Sequence, residues 1–82
     1  MNIDFEFKDL VKLLRENKKT SGYEIDVTTN LVSDLGFDSI DLMQMIINIE
    51  SRFGITFSIE DLDMKNVIRV NELFSFIQAR IR

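Results

Sequence analysis

At 82 residues the chain allows one small domain, in which folding buries only about 60% of the unfolded surface, so there is room for a modest core and little for an enclosed active site. Hydrophobic residues at 45% and charged residues at 29% form an ordinary globular balance, which argues against disorder. The absence of cysteine excludes disulfides, thiolate metal sites and a thiol nucleophile. Histidine is absent too, which removes the commonest general base and any Ser-His-Asp or Cys-His arrangement, and the net charge of -4 disfavours nucleic-acid phosphates as partners.

Residues 1–10 alternate apolar and acidic types rather than placing a basic end before an apolar run, and no segment is long and apolar enough to span a bilayer; a cytoplasmic protein is expected. Phe7, Leu10, Val11 and Leu14 follow the i, i+3, i+4, i+7 spacing of an amphipathic helix, predicted to start near Asp4 and end near Asn17. From Lys18 to Ser33 the pattern breaks into Gly22, polar residues and the apolar pair Ile25 and Val27, which reads as a long loop pinned to the core by that pair. Asp38 or Ser39 offers a helix N-cap, and the run to Arg52 holds neither Gly nor Pro, giving a second helix closed by Phe53 and Gly54. An extended Ile55 to Phe57 follows. Ser58 can then cap a short third helix through Leu62, with Glu60 or Asp61 in its first turn. The last helix is predicted from Val70 to Ala79, with Leu73, Phe74 and Ile77 inward and Arg80 and Arg82 near its C-terminal end. The expected architecture is a single all-α domain over residues 1–82, a small four-helix bundle with a long loop between its first two helices.

The second helix carries two apolar stripes. Leu42, Met45, Ile46, Ile49 and Phe53 form a core-facing one, and Ile40, Met43 and Ile47 another, offset around the axis, while Asp41, Gln44, Asn48 and Ser51 keep a third side polar. Either the other helices cover both stripes, or Ile40, Met43 and Ile47 stay exposed beside acids as a docking surface. Between residues 30 and 64 stand the acids Asp34, Asp38, Asp41, Glu50, Glu60, Asp61 and Asp63 and the one base Arg52, a local charge of -6. Such a surface is either a solvated acidic face or one that steers basic protein partners.

Sites for other chemistry are poorly supplied. Asp34, Gly36 and Asp38 hint at a calcium loop, but the glycine and the terminal Glu are out of register, so no metal site is expected. The basic residues are scattered without an aromatic face, and the three glycines are isolated, so neither a nucleic-acid reader nor a phosphate loop is present. Ser39 remains, at the start of a helix and the end of a long loop. Its hydroxyl reads as an N-cap, and the same place favours an attached phosphodiester, since a helix N-terminus attracts negative charge.

Asp34-Leu35-Gly36-Phe37-Asp38-Ser39-Ile40, the following helix and Phe53-Gly54-Ile55 together resemble the acyl carrier protein family, over most of the chain from about Phe5 to Ala79. The resemblance implies that Ser39 carries 4'-phosphopantetheine, transferred from coenzyme A by a magnesium-dependent phosphopantetheinyl transferase, with Asp38 beside the attachment point. It implies no catalytic residue and no resident metal, and it makes the helix after the serine the recognition element. By position Ile40, Asp41, Met43, Ile47 and Glu50 take the partner-binding roles. The implied partners are the transferase, an acyl- or aminoacyl-loading enzyme and downstream synthase enzymes, met by a monomer that binds neither nucleic acid nor membrane. The chain departs from the fatty-acid type at Ile40, where Leu is usual, at Gln44 and Arg52, which make the helix less negative, and at Ser58, where proline is common. The stretch from Asp61 to Asn66 looks longer, as in discrete carriers of specialised, polyketide-like or nonribosomal-peptide-like pathways. The competing expectation is a non-covalent helical interaction module that keeps this fold without the arm.

Overall fold

The computed structural model describes residues 5–63 and 67–81. Among them are three α-helices, α1 (Phe7–Leu14), α2 (Ser39–Phe53) and α3 (Val70–Arg80), two single 3-10 turns (Lys18–Thr20 and Glu60–Leu62), and no strand beyond one isolated bridge between Asn30 and Arg69. The expected helix start near Asp4 lies outside the described residues. So does part of the stretch from Asp61 to Asn66. The expected third helix is, where described, the one 3-10 turn Glu60–Leu62, opened by reciprocal bonds in which Ser58 N–H donates to Asp61 Oδ2 at 2.8 Å and Asp61 N–H to Ser58 Oγ at 3.2 Å.

Helix α1 opens with the Glu6 N–H donating to Asp9 Oδ2 at 2.8 Å. It ends at Leu14 rather than near Asn17, because Asn17 is used as the cap of the next turn: its Oδ1 accepts the Lys19 N–H at 2.8 Å, and its carbonyl accepts the Thr20 hydroxyl at 2.9 Å. Leu10, Leu13 and Leu14 are buried, with Phe7 and Val11 packed against the same core.

Polar bonds organise the long connection more than apolar ones. Ile25 is buried as expected, but Val27 is exposed; its contribution is its backbone carbonyl. That carbonyl accepts the Asn71 N–H at 3.2 Å, the Thr29 carbonyl accepts Val70 N–H at 3.0 Å, and Leu31 N–H donates to Ile68 O at 2.8 Å. The first turn of α3 has no side-chain cap, so the loop supplies acceptors that its free amides need. Buried Leu31, Leu35 and Phe37 supply the apolar anchors. Between them Asn30 Oδ1 accepts the N–H groups of Val32 and Ser33 at 2.9 Å each, and Gly36 takes a φ of 75° that turns the chain into α2.

The core-facing stripe of α2, Leu42, Met45, Ile46, Ile49 and Phe53, is buried throughout. The helix closes on Gly54 at φ 68°, and the extended segment after it buries Ile55 and Phe57 while exposing Thr56. Helix α1 runs antiparallel to α2. Phe5 meets Phe53 edge-on at 4.8 Å near one end and stacks on Phe74 of α3 at 5.2 Å, while Asn17 reaches Asp41 at the other end. Helix α3 buries Val70, Leu73 and Ile77 and runs one residue past its predicted end, with Phe74 only partly buried. Its last turn is latched: the Arg80 guanidinium donates to Asp61 Oδ1 at 2.7 Å and lies 4.5 Å over the Phe76 ring, which stacks on Phe57 at 5.1 Å.

Candidate functional site

The start of α2 is set by Asp38, whose extended backbone (φ -103°, ψ -175°) and side chain cap the helix. Asp38 Oδ1 accepts the Asp41 N–H at 2.9 Å, and Asp41 Oδ2 accepts the Asp38 N–H at 2.9 Å, a reciprocal box of two aspartates three residues apart. Of the two candidate caps it is therefore Asp38 that is used. Ser39 is the first helical residue, and its exposed hydroxyl has no partner among the described residues. The amides of Ser39 and Ile40 also find no acceptor among them. The hydroxyl thus stands free at the positive end of a helix of 15 residues.

An apolar groove of about 170 Å³ begins at Ser39 and is lined by Leu42, Met43, Ile46, Leu62 and Val67. Leu62 and Val67 come from the segment between α2 and α3 and carry no mark in the sequence that would assign them to the site. Across the helix, a second cavity of about 240 Å³ lies between α1 and α2, with Asp41, Gln44 and Asn48 among its lining residues.

The offset stripe is not covered. Ile40, Met43 and Ile47 keep 77%, 55% and 50% of their surface exposed, which settles the choice left open by their spacing in favour of an uncovered apolar face. The acids divide into two groups. Asp38 stays exposed, whereas Asp41 is half-buried, accepting Lys19 Nζ at 2.6 Å and Asn17 Nδ2 at 3.1 Å. Lys19 Nζ also lies 3.5 Å from Asp38 Oδ2 and donates to the Gly36 carbonyl at 3.3 Å. The Lys19 hydrogen bond, followed by the Asp38 amide, holds the Asp41 carboxyl well below the ordinary carboxylate range, and the same bond pushes the Lys19 ammonium upward. Glu50 is half-buried and accepts the Phe57 N–H at 2.9 Å, so its carboxylate secures the extended segment after α2. Sequence reasoning missed Lys19 and Asn17. Their partner is more than twenty residues distant, and only the polar character of their turn was visible.

Among the described residues no group of three or more acidic, His or Cys side chains is arranged to hold a metal ion, and no helix is long and apolar enough to cross a membrane.

Comparison with known proteins adds the family. Residues 8–70 match the family described as "Phosphopantetheine attachment site". Similar proteins include the acyl carrier protein of Coprothermobacter proteolyticus, 32% identical over 92% of this chain and 89% of its own length, and that of Nitratidesulfovibrio vulgaris strain Miyazaki F, 31% identical over 84% and 88%. The acyl carrier protein of Thermotoga maritima is 25% identical over 92% and 90%.

Proposed function

The chain belongs to the phosphopantetheine attachment site family, as an acyl-carrier-type protein that bears covalent 4'-phosphopantetheine and is a carrier rather than an enzyme, and from that premise we propose that Ser39 is the attachment residue. The single observation behind this assignment is the exposed, partnerless Ser39 hydroxyl at the first position of α2. Its surroundings fit the group. The free amides of Ser39 and Ile40 suit a phosphodiester, and the groove that starts at Ser39 offers apolar walls to whatever is tethered there. When attached, the arm supplies a thiol that holds an acyl group as a thioester. The protein's own residues keep the attachment point rigid and accessible, through the Asp38–Asp41 box, and present it beside a face that partners can grip.

In this reading Ile40, Met43 and Ile47 form the apolar part of the partner surface, Asp38 its more exposed acid, and Asp41 and Glu50 acids more fully engaged within the chain. The partners are a phosphopantetheinyl transferase, an acyl- or aminoacyl-loading enzyme and downstream synthase enzymes, each docking weakly enough to hand the carrier on. A specialised pathway fits better than general fatty-acid synthesis, because Gln44 and Arg52 reduce the charge of α2 and Arg52 is further paired with Glu16 at 2.8 Å. The whole chain acts as one domain and a cytoplasmic monomer, its fold a carrier-type four-helix bundle with the short turn Glu60–Leu62 in the third helical element.

Intact-mass spectrometry after incubation with coenzyme A, magnesium and a broad-specificity phosphopantetheinyl transferase tests the assignment. One phosphopantetheine is expected on the wild-type chain and none on Ser39→Ala. A folded Ser39→Ala that still gains the mass overturns the assignment, and a wild-type chain that gains none with several transferases favours the non-covalent module.

A further inference from the structure

We propose that Lys19 is an internal counter-cation that masks Asp41 from partner enzymes, and so sets how strongly the attachment end of α2 responds to basic docking surfaces. The inference rests on the reading of Ser39 as the attachment point. Its ground is the geometry around one ammonium group. Lys19 Nζ lies 2.6 Å from Asp41 Oδ2, 3.5 Å from Asp38 Oδ2 and 3.3 Å from the Gly36 carbonyl, a three-sided seat immediately beside the first turn of α2. The side chain of Asp41 is only 18% exposed, that of Asp38 60%. Asp41 also accepts from Asn17 Nδ2 and from the Asp38 amide, so its carboxylate is already engaged by donors of the chain itself.

A partner's Lys or Arg arriving at this end therefore finds Asp41 occupied and meets chiefly Asp38, which Lys19 approaches less closely and which stays 60% exposed. The backbone of Lys19 is itself fixed by the Asn17 cap, which holds the ammonium's stem in place and keeps its masking intramolecular. Neutralising one of two neighbouring carboxylates halves the local charge that steers a cationic enzyme, while leaving the apolar face of Ile40, Met43 and Ile47 unchanged. The net effect is a carrier whose partner choice leans on shape and apolar contact more than on charge.

The test is the rate of loading by a transferase with a basic carrier-binding surface, followed across a salt series, with coenzyme A saturating. Removing the ammonium in Lys19→Met should raise kcat/KM about threefold at low salt, through KM with kcat unchanged, and the advantage should vanish at high salt. Lys19→Arg, which keeps the cation, should behave as wild type. Asp41→Asn, which leaves the Lys19 ammonium facing Asp38 alone, should flatten the salt slope, and adding Lys19→Met in that background should return it to the wild-type value, a charge-for-charge rescue that a purely structural role for Lys19 does not produce. If Lys19→Met leaves the slope unchanged, or fails to restore it in the Asp41→Asn background, the masking inference is overturned while the assignment of Ser39 stands. A wild-type chain that is not loaded at all overturns the assignment, and this inference with it.

Discussion

Helix α2 holds two apolar stripes of nearly the same composition with opposite fates. Leu42, Met45, Ile46, Ile49 and Phe53 are enclosed by α1, α3 and the connecting segments, while Ile40, Met43 and Ile47 face outward beside Asp38. Both sides carry apolar residues, five on one and three on the other, but the covering elements lie on the first alone. The buried stripe is explained by the energy of the core. The exposed one costs stability in water, and the docking role proposed for it would account for its retention.

Substitutions should separate the stripes by size of effect. Ile49 is fully buried, and Ile49→Ala should cost about 2–5 kcal/mol in urea unfolding, a large part of the stability of so small a domain. A loss under about 1 kcal/mol would erase the distinction, since that is the scale of surface changes.

Acid should act next, and on the polar framework rather than on either stripe. Asp41, held low chiefly by Lys19, and Asp61, held low chiefly by the Ser58 amide and then by Arg80, both have depressed carboxyl values. Their contribution is complete above the ordinary value of 3.8 and is lost as the pH falls through their lowered values. Lys19 is shifted up, so its share is complete below the ordinary 10.5 and is lost as the pH rises through the raised value. Urea midpoints measured against pH should fall at the acid end, and Asp41→Asn should shrink that fall; an unchanged acid limb would show that the box at the start of α2 contributes nothing to the pH response.

Smaller still, Met43→Glu should leave the urea midpoint within about 0.5 kcal/mol of wild type and weaken acyl transfer to the cognate enzyme. A cooperative loss of structure would move Met43 into the core and merge the two stripes. Least of all, Ser39→Ala should change stability by no more than about 0.5 kcal/mol, since the capping belongs to Asp38. This corrects the sequence-based reading of Ser39 as the cap, whose removal costs about 1 kcal/mol.

The limits of sequence reading follow the same line. The buried stripe, the stop at Gly54 and the extent of α3 were legible because each is written in consecutive residues along one axis. The exposure of Ile40, Met43 and Ile47 was left open, because periodicity marks a stripe without saying whether anything covers it. Val27 was misjudged because its apolar side chain suggested burial, while its carbonyl is the part that holds α3. Asp41 and Glu50 looked like free surface acids. Their occupation by Lys19 and by the Phe57 amide depends on long-range approach, and single charged residues carry no signature of that.

The bonds from the loop to α3 bear on how the molecule opens. Val70 and Asn71 depend for their acceptors on Thr29 and Val27, far up the chain, so the first turn of α3 and the loop must be released together. In native-state hydrogen exchange the amides of Leu31, Val70 and Asn71 should therefore exchange as one cooperative unit, and a protease nick in the loop should unfasten a helix it never touches.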